Sequence, residues 1–155
     1  MRRALVLVDP TDPNHELLRE AGELAAGVGA PLIVLSLLTK EGYERDREVL
    51  ETIAREERTS YSTESIDEYA QRTAASTAEE TLAGIDVGYD TRGVVLAGGD
   101  RGSTVVQIAE ETDCDHVFLV GKRRSPAGKA MFGDTAQSVI LNFDGRTTVA
   151  MTDDG

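Results

Sequence analysis

Asp115–Ala136 reads DHVFLVGKRRSPAGKAMFGDTA, and this stretch decides the fold. Its apolar run Val117–Val120 predicts a strand buried on both faces of a parallel sheet. A glycine-punctuated loop follows, and a helix is predicted to begin near Gly133. The loop carries four cations, Lys122, Arg123, Arg124 and Lys129. A basic loop between a strand and a helix is typical of an anion-binding site, and phosphate is the first candidate ligand. Alternatively, the four cations could only neutralise the acidic surface around them.

The rest of the chain alternates between short apolar runs and helical patterns in the same way. Strands are predicted over Leu5–Val8, Pro31–Leu38, Tyr89–Ala97, His116–Val120 and Thr147–Met151. Helices are predicted over about residues 17–28, 62–83, 103–111 and 133–141. This alternation specifies an α/β fold, an open five-stranded, mainly parallel sheet with helices on both faces.

Some residues in these helices are expected to face the core or to mark a helix end. Leu24 and Val28 continue the apolar stripe of the first helix, and Ile140 is expected to point inward from the last. Gly29 is expected to end the first helix in a left-handed cap, and Ser103 is the predicted N-cap of the third. The highly charged excursion Thr39–Ser60 could be an exposed helix or a mobile segment that holds partner contacts.

Composition limits the class of protein. The 155 residues suit one domain spanning 1–155, and 28 acidic against 16 basic residues give a net charge of -12. Nucleic acid and anionic membranes should therefore repel the chain. The apolar run near the amino terminus is too short for a signal core, so a cytoplasmic location is predicted. Because only Lys40, Lys122 and Lys129 are lysines, we also expect a surface suited to concentrated salt, that of a halophile.

The chain offers little material for catalysis or metal binding. Cys114 is the single cysteine, and its acidic neighbours should raise its pKa and suppress nucleophilicity. His15 and His116 are the only histidines, and His116 is expected at the amino end of a strand, away from a ligand edge. No Ser-His-acid set or metal-ligand set suggests itself, so we expect neither an enzyme nor a metal site.

A ligand of such a sheet is expected outside the carboxyl ends of its strands, near the point where the strand order reverses. Asp9 follows the first predicted strand and Gly121 follows the fourth. If these two strands are neighbours, Asp9 and Gly121 face a common crevice, although Asp9 could be only a turn carboxylate. The spacing of Gly121 and Gly128 does not make a P-loop, and Gly98–Gly102 does not fit a dinucleotide fingerprint.

The chain resembles the universal stress protein family over essentially its whole length. The resemblance rests on Val6–Asp9, Asp115–Gly121, Phe132–Val139 and Thr147–Ala150. In nucleotide-binding members the loop reads Gly, two residues, Gly, nine residues, then Gly followed by Ser or Thr. Gly121 matches the first glycine and Gly133 the last. The resemblance implies the α/β fold above, a role in stress tolerance, and a homodimer formed through the last strand.

The resemblance also implies site residues for ATP or AMP. Asp9 and Leu37 match positions that contact ribose and adenine. The phosphate and ribose side is matched by Val120, Gly121, Gly133 and Asp134. For Leu37 and Val120, simple core packing is the alternative interpretation.

Three departures from the family pattern change the expected contacts between the loop and its ligand. Arg124 replaces the second glycine, the interval from Gly121 to Gly133 is one residue short, and Asp134 replaces the hydroxyl residue. Arg124 could become a direct donor, Asp134 is expected to cap the helix with its own carboxylate, and Thr135 could supply a shifted hydroxyl. We therefore expect weakened or altered adenine-nucleotide binding; the alternative is a nucleotide-independent dimeric scaffold or partner-binding module.

Overall fold

A computed structural model describes residues 1–8, 15–45, 65–96, 100–123 and 132–153. The strands are β1 (Ala4–Leu7), β2 (Leu32–Thr39), β3 (Tyr89–Leu96), β4 (His116–Arg123) and β5 (Arg146–Asp153). The longer helices are α1 (Glu16–Val28), α2 (Ile66–Thr81), α3 (Arg101–Glu111) and α4 (Asp134–Asn142). Residues 40–45 are also helical, and the rest of the charged excursion lies outside the described residues. Within the described ranges, every helix is too short or too polar to cross a bilayer.

The sheet is parallel throughout and has β1 at its centre. Its strand order is β3-β2-β1-β4-β5. Val6 lies opposite Val34 on one side and opposite Phe118 on the other. The chain moves outward from β1 through β2 to β3 and then returns to place β4 on the other side of β1. The predicted α/β fold with a five-stranded parallel sheet is therefore confirmed.

Each face of the sheet has its own apolar core. On one face, α3 and α4 cover a cluster that includes Leu5, Leu35, Val105, Leu119 and Val139. On the other face, α1 and α2 cover a second cluster that includes Val6, Ala21, Val34, Ala78 and Phe118. Alternate residues of one strand serve opposite clusters, which explains why the central strands are continuous apolar runs.

The helix ends follow local capping chemistry. Gly29 ends α1 in the left-handed conformation at φ 71°, as predicted. The prediction of Ser103 as an N-cap is wrong, because α3 begins at Arg101 and Ser103 lies inside its first turn. Asp100 caps this helix instead, and its carboxylate accepts the N–H of Gly102 at 3.0 Å. Aspartate caps as well as serine does, and Asp100 is the first such residue after β3.

The expected inner stripe of α1 is partly wrong. Leu24 is 49% exposed and Val28 is 62% exposed. The helix is turned so that Gly22 lies against Leu82, beside α2, while Leu24 and Val28 lie on the opposite flank. Packing against α2 therefore determines which apolar positions of α1 are buried.

Ile140 of α4 is likewise 44% exposed rather than buried, so its predicted inward position is wrong. This helix packs closely on α3, because a Cβ atom at Gly102 would overlap the side chain of Ser138. Ile140 lies on the flank of α4 that faces away from α3. Its exposure follows from the position of α4 at the β5 end of the sheet.

Candidate functional site

The carboxyl ends of β1 and β4 meet where the strand order reverses. These two strands are neighbours, as the candidate crevice requires. Just beyond β1, the N–H of Val8 donates to the carbonyl of Leu35 at 2.8 Å, so the chain stays aligned with β2 up to this edge. Open α/β sheets bind ligands at such a point. Asp9, Arg124 and the glycines at 98 and 99 lie outside the described residues.

The β4 strand is longer than the sequence predicts. It continues through Gly121, Lys122 and Arg123 instead of ending at Val120. The prediction that the basic loop begins at Gly121 is therefore wrong. The cause is the greater length of β5, which extends to Asp153 and pairs with all three of these β4 residues.

Gly121 has a packing reason to be glycine. A Cβ atom there would lie 2.6 Å from Cγ1 of Val149, 3.0 Å from the sulfur of Met151 and 3.1 Å from the carbonyl oxygen of Phe132. All three distances are shorter than ordinary van der Waals contact. The space beside Gly121 is therefore filled by this chain's own atoms.

Gly133 joins the end of β4 to the start of α4. It has φ 88° and ψ 152°, a conformation that residues with a Cβ atom rarely adopt. The preceding carbonyl, that of Phe132, accepts the N–H of Lys122 at 2.9 Å. A Cβ atom at Gly133 would lie 3.7 Å from the backbone nitrogen of Lys122. The two ends of the basic loop are thus fixed against each other by the backbone.

Asp134 is the first residue of α4 and does not cap it. The prediction that its carboxylate caps the helix is wrong, because the N-cap position is occupied by Gly133, which has no side chain to do so. Asp134 is exposed at the positive end of the helix dipole. There its charge stabilises the helix by roughly 0.3–1 kcal/mol and repels an approaching phosphate. The conflict with phosphate is therefore one of charge.

Asp100 is a residue of this edge that the sequence analysis missed. Its Oδ1 atom accepts the N–H of Gly102, and its Oδ2 atom accepts the hydroxyl of Ser138 at 3.4 Å. One carboxylate thus links the first turn of α3 to α4. Thr135, in the first turn of α4, is half-buried, and its carbonyl would lie 3.2 Å from a Cβ atom at Gly102. The sequence signal that could have identified Asp100 is its position directly after a glycine pair that follows a predicted strand.

Leu37 and Val120 do not form one side-chain surface. Leu37 is buried in the cluster beneath α3 and α4. Val120 is partly buried and packs against the cluster beneath α1 and α2, on the opposite face of the sheet. Only their backbones lie at the same edge, so a shared ligand would be contacted there through main-chain atoms.

Comparison with known proteins identifies the family. The family model for the universal stress proteins matches residues 1–150, nearly the entire chain. The chain belongs to the universal stress protein family. No curated protein sequence matches it.

Solved universal stress proteins have the same fold. The structure of one from Archaeoglobus fulgidus has 23% sequence identity and a TM-score of 0.64, with 96% of this chain and 98% of that chain covered. Another from Archaeoglobus fulgidus, in complex with dAMP, has 18% identity and a TM-score of 0.59 over 96% and 97% of the two chains. A universal stress protein in complex with cAMP has 18% identity and a TM-score of 0.58 over 97% and 96%. At sequence identities this low, the structural similarity establishes the shared fold alone.

The thiol and the strand histidine of this universal stress protein lie away from the carboxyl edge. Burial raises the pKa of Cys114, and its sulfur lies 3.3 Å from the hydroxyl of Thr112. His116 begins β4 at the opposite edge, as expected, and its Nε2 atom lies 2.7 Å from the hydroxyl of Thr148. Partial burial lowers the pKa of His116, which favours a neutral imidazole. The thiol of Cys114 and the imidazole of His116 therefore each contact a threonine hydroxyl, away from the candidate ligand site.

A groove of about 430 Å³ lies at the amino edge of this universal stress protein. Its charged lining consists of Arg3, Asp90, Arg92 and Glu111. Arg3 donates from Nη1 to the carbonyl of Thr112 at 2.6 Å, and Arg92 lies 4.0 Å from the carboxylate of Glu111. These guanidinium groups are thus engaged by neighbouring protein atoms.

Proposed function

We propose that this universal stress protein is a cytoplasmic, homodimeric stress-response protein that binds an adenine nucleotide weakly or in an altered mode. The observation that carries the proposal is the exposed carboxylate of Asp134 at the start of α4, beside the glycine-framed end of β4. A helix start at this edge attracts phosphate through its amides and dipole. Asp134 opposes that attraction with a negative charge.

The location of the site supports an adenine nucleotide as the ligand. The crevice lies at the reversal point of a parallel sheet, and two structural neighbours of the same family were solved with dAMP and cAMP. In this proposal the ligand contacts the carboxyl edge through eight residues, Asp9, Leu37, Val120, Gly121, Arg124, Gly133, Asp134 and Thr135. The guanidinium of Arg124 would replace the backbone contact that a glycine provides in the family pattern.

We propose binding without catalysis. The imidazole of His116 is at the amino edge of the sheet, whereas the proposed ligand lies at the carboxyl edge; His15 precedes α1 at the carboxyl edge, and in this proposal it does not act on the ligand. A general base must reach the proton it removes within hydrogen-bond distance or through one water. Incubation of the purified chain with ATP and magnesium should therefore release no phosphate above a buffer control, and steady turnover would contradict this proposal.

The nucleotide proposal is tested by ligand release and calorimetry. The purified chain is denatured, and the supernatant is analysed for adenine nucleotides by chromatography. Titrations with ATP and AMP, each with and without magnesium, then measure affinity. We expect weak binding of both. Absence of released nucleotide together with no measurable heat would reject a nucleotide ligand, whereas tight ATP binding would reject the weakening assigned to Asp134.

A nucleotide-independent dimeric scaffold is the second candidate, and the β5 end of the sheet favours it. β5 is an edge strand, and edge strands are templates for pairing with another chain. Beside it, Ile140 places exposed apolar surface on the outer flank of α4. A stable dimer from which no nucleotide is released would favour this candidate. The excess of acidic residues leads us to propose a salt-rich habitat for either function.

A further inference from the structure

At the opposite edge of the sheet, a side-chain amide from α2 is hydrogen-bonded to the backbone of β3. Gln71 of α2 donates from Nε2 to the carbonyl of Thr91 at 2.9 Å and to the Thr91 hydroxyl at 3.0 Å. Its Oε1 atom accepts the N–H of Gly93 at 2.9 Å. One side chain therefore bonds to the backbone of two β3 residues.

These backbone groups point away from the sheet. The N–H of Leu32 in β2 donates to the carbonyl of Gly88, the residue just before β3. The backbone N–H and C=O groups of the even-numbered residues in β3 therefore point toward β2. Successive backbone groups of a strand alternate in direction, so those of Thr91 and Gly93 face outward. A neighbouring parallel strand would fill these positions with the N–H and C=O of a single residue. The amide of Gln71 reproduces that pair.

The orientation of the Gln71 amide is fixed by its partners. The carbonyl of Thr91 only accepts and the N–H of Gly93 only donates, so the amide nitrogen must face Thr91 and the amide oxygen must face Gly93. Glutamate at position 71 could keep the bond to Gly93 but would place a negative charge against the Thr91 carbonyl. The site therefore distinguishes an amide from a carboxylate.

Close packing brings Gln71 to this edge. A Cβ atom at Gly93 would overlap the carbonyl group of Ala70 and approach the backbone nitrogen of Gln71. The α2 backbone thus lies directly on the β3 backbone, and only glycine at position 93 leaves enough space for this close approach. From this position the side chain of Gln71 reaches around the strand.

We propose that Gln71 closes the β3 edge against a second copy of this chain and so restricts self-association to the β5 edge. The β5 part of this inference rests on the proposed homodimer. Symmetric pairing of two β3 edges would be antiparallel, would use the same outward C=O of Thr91 and N–H of Gly93, and would add a second two-fold interface. Two different two-fold interfaces on one chain build an open series of molecules instead of a closed dimer, and the Gln71 amide prevents the second one by occupying its hydrogen-bonding groups.

The test compares Q71A and Q71E with the wild-type chain by light scattering over a dilution series. Alanine frees the edge and has higher helix propensity than glutamine, so α2 should remain helical. We expect the average mass of Q71A to rise at least twofold above that of the wild type as concentration increases. Q71E should not show this rise, because two carboxylates would meet across the symmetric edge. Circular dichroism checks the fold, and Q71S replaces Q71A if the latter does not fold.

Gln107 supplies the matched control. It is an exposed helical glutamine whose Nε2 atom donates at 3.1 Å to the side chain of Glu111, which lies 4.0 Å from the Arg92 side chain, so its amide bonds to a side chain and not to the β3 backbone. Q107A should keep the wild-type mass. A rise for Q107A, an equal rise for Q71E, or no rise for folded Q71A would each overturn the inference.

Hydrogen exchange at the Gly93 amide gives a second readout. In Q71A this amide should exchange faster than in the wild type at low concentration and become protected again at high concentration. Unchanged protection in dilute Q71A would overturn the role of Gln71. A monomeric wild type would contradict only the proposed β5 dimer, because Q71A would then associate from monomer to dimer.

Discussion

The backbone N–H of Lys122 donates a 2.9 Å hydrogen bond to the carbonyl of Phe132. This bond joins the last turn of chain before α4 to the extended end of β4, so both ends of the basic segment between them are fixed. A ligand at the carboxyl edge of this universal stress protein would meet a rigid frame formed by Gly121 and Gly133. In the proposed function, the charge of Asp134 at that frame weakens the binding of phosphate.

Replacing Asp134 with serine should strengthen nucleotide binding. The D134S variant removes a negative charge from the first turn of α4 and restores the hydroxyl of the family pattern. A charge at a helix terminus contributes about 0.3–1 kcal/mol, so we expect affinity for ATP to rise by roughly two- to fivefold in calorimetry. Asp67, in the first turn of α2, provides the control. D67S should lose similar helix stabilisation without any gain in affinity; unaltered ATP affinity in D134S would contradict the role of its charge.

Replacing Gly133 with alanine should destabilise the fold. Its φ of 88° with ψ of 152° belongs to a region that is costly for residues with a Cβ atom, and the strain is about 1–3 kcal/mol. Gly27 is the matched control, because it lies within helix α1 and a Cβ atom there meets nothing within 4 Å. G27A should stabilise the protein by about 0.5–1 kcal/mol. Urea unfolding measures both changes, and equal effects of the two substitutions would contradict the assigned strain.

Acidification should destabilise the protein through His116. Partial burial lowers the folded-state pKa of His116 below its ordinary value of 6.5, with further lowering from the amino terminus and Arg146 and an opposing effect from Asp115. The unfolded state therefore binds a proton more readily, and the free energy of unfolding should fall as the pH drops below about 6.5 toward the folded-state pKa. Urea unfolding across this range measures the slope. H116Q should flatten it, and an unchanged slope would assign the effect to other groups.

Proline at Thr147 should prevent dimerisation without breaking the sheet. The N–H of Arg146 bonds inward to the carbonyl of Asp115, so the alternating backbone directs the N–H of Thr147 outward from β5. T147P removes that outward donor from the edge. We expect a monomer by light scattering, whereas T147A should keep the wild-type mass. A folded T147P variant that remains dimeric would place the interface elsewhere.

Molar KCl should raise the melting temperature. The net charge of -12 creates self-repulsion that salt screens, since the Debye length shrinks to about 3 Å at 1 M. Calorimetric scans in low and molar KCl measure the shift, and sucrose serves as the uncharged control for general exclusion effects. A melting temperature that does not rise with KCl would exclude adaptation to concentrated salt.

The candidate site could be predicted only as far as its location. The apolar run before Gly121 and the helix after Gly133 place both glycines at the carboxyl edge by pattern alone. Pattern did not reveal that Gly133 occupies the N-cap position of α4 in place of Asp134, nor that Asp100 links α3 to α4. Those relations depend on the angles at which helices reach the sheet. Sequence spacing carries little information about such angles.

By itself, the sequence determined the α/β class, the number of strands and their succession along the chain, and the glycine cap at Gly29, because periodicity, apolar runs and left-handed backbone are local properties. Only the tertiary structure decided that β4 continues through Lys122, that Leu24 is exposed, and that Gln71 covers β3. Each of these depends on a partner distant in the chain, β5 for the first and α2 for the others. Local propensity leaves such choices open, and packing of the assembled layers resolves them.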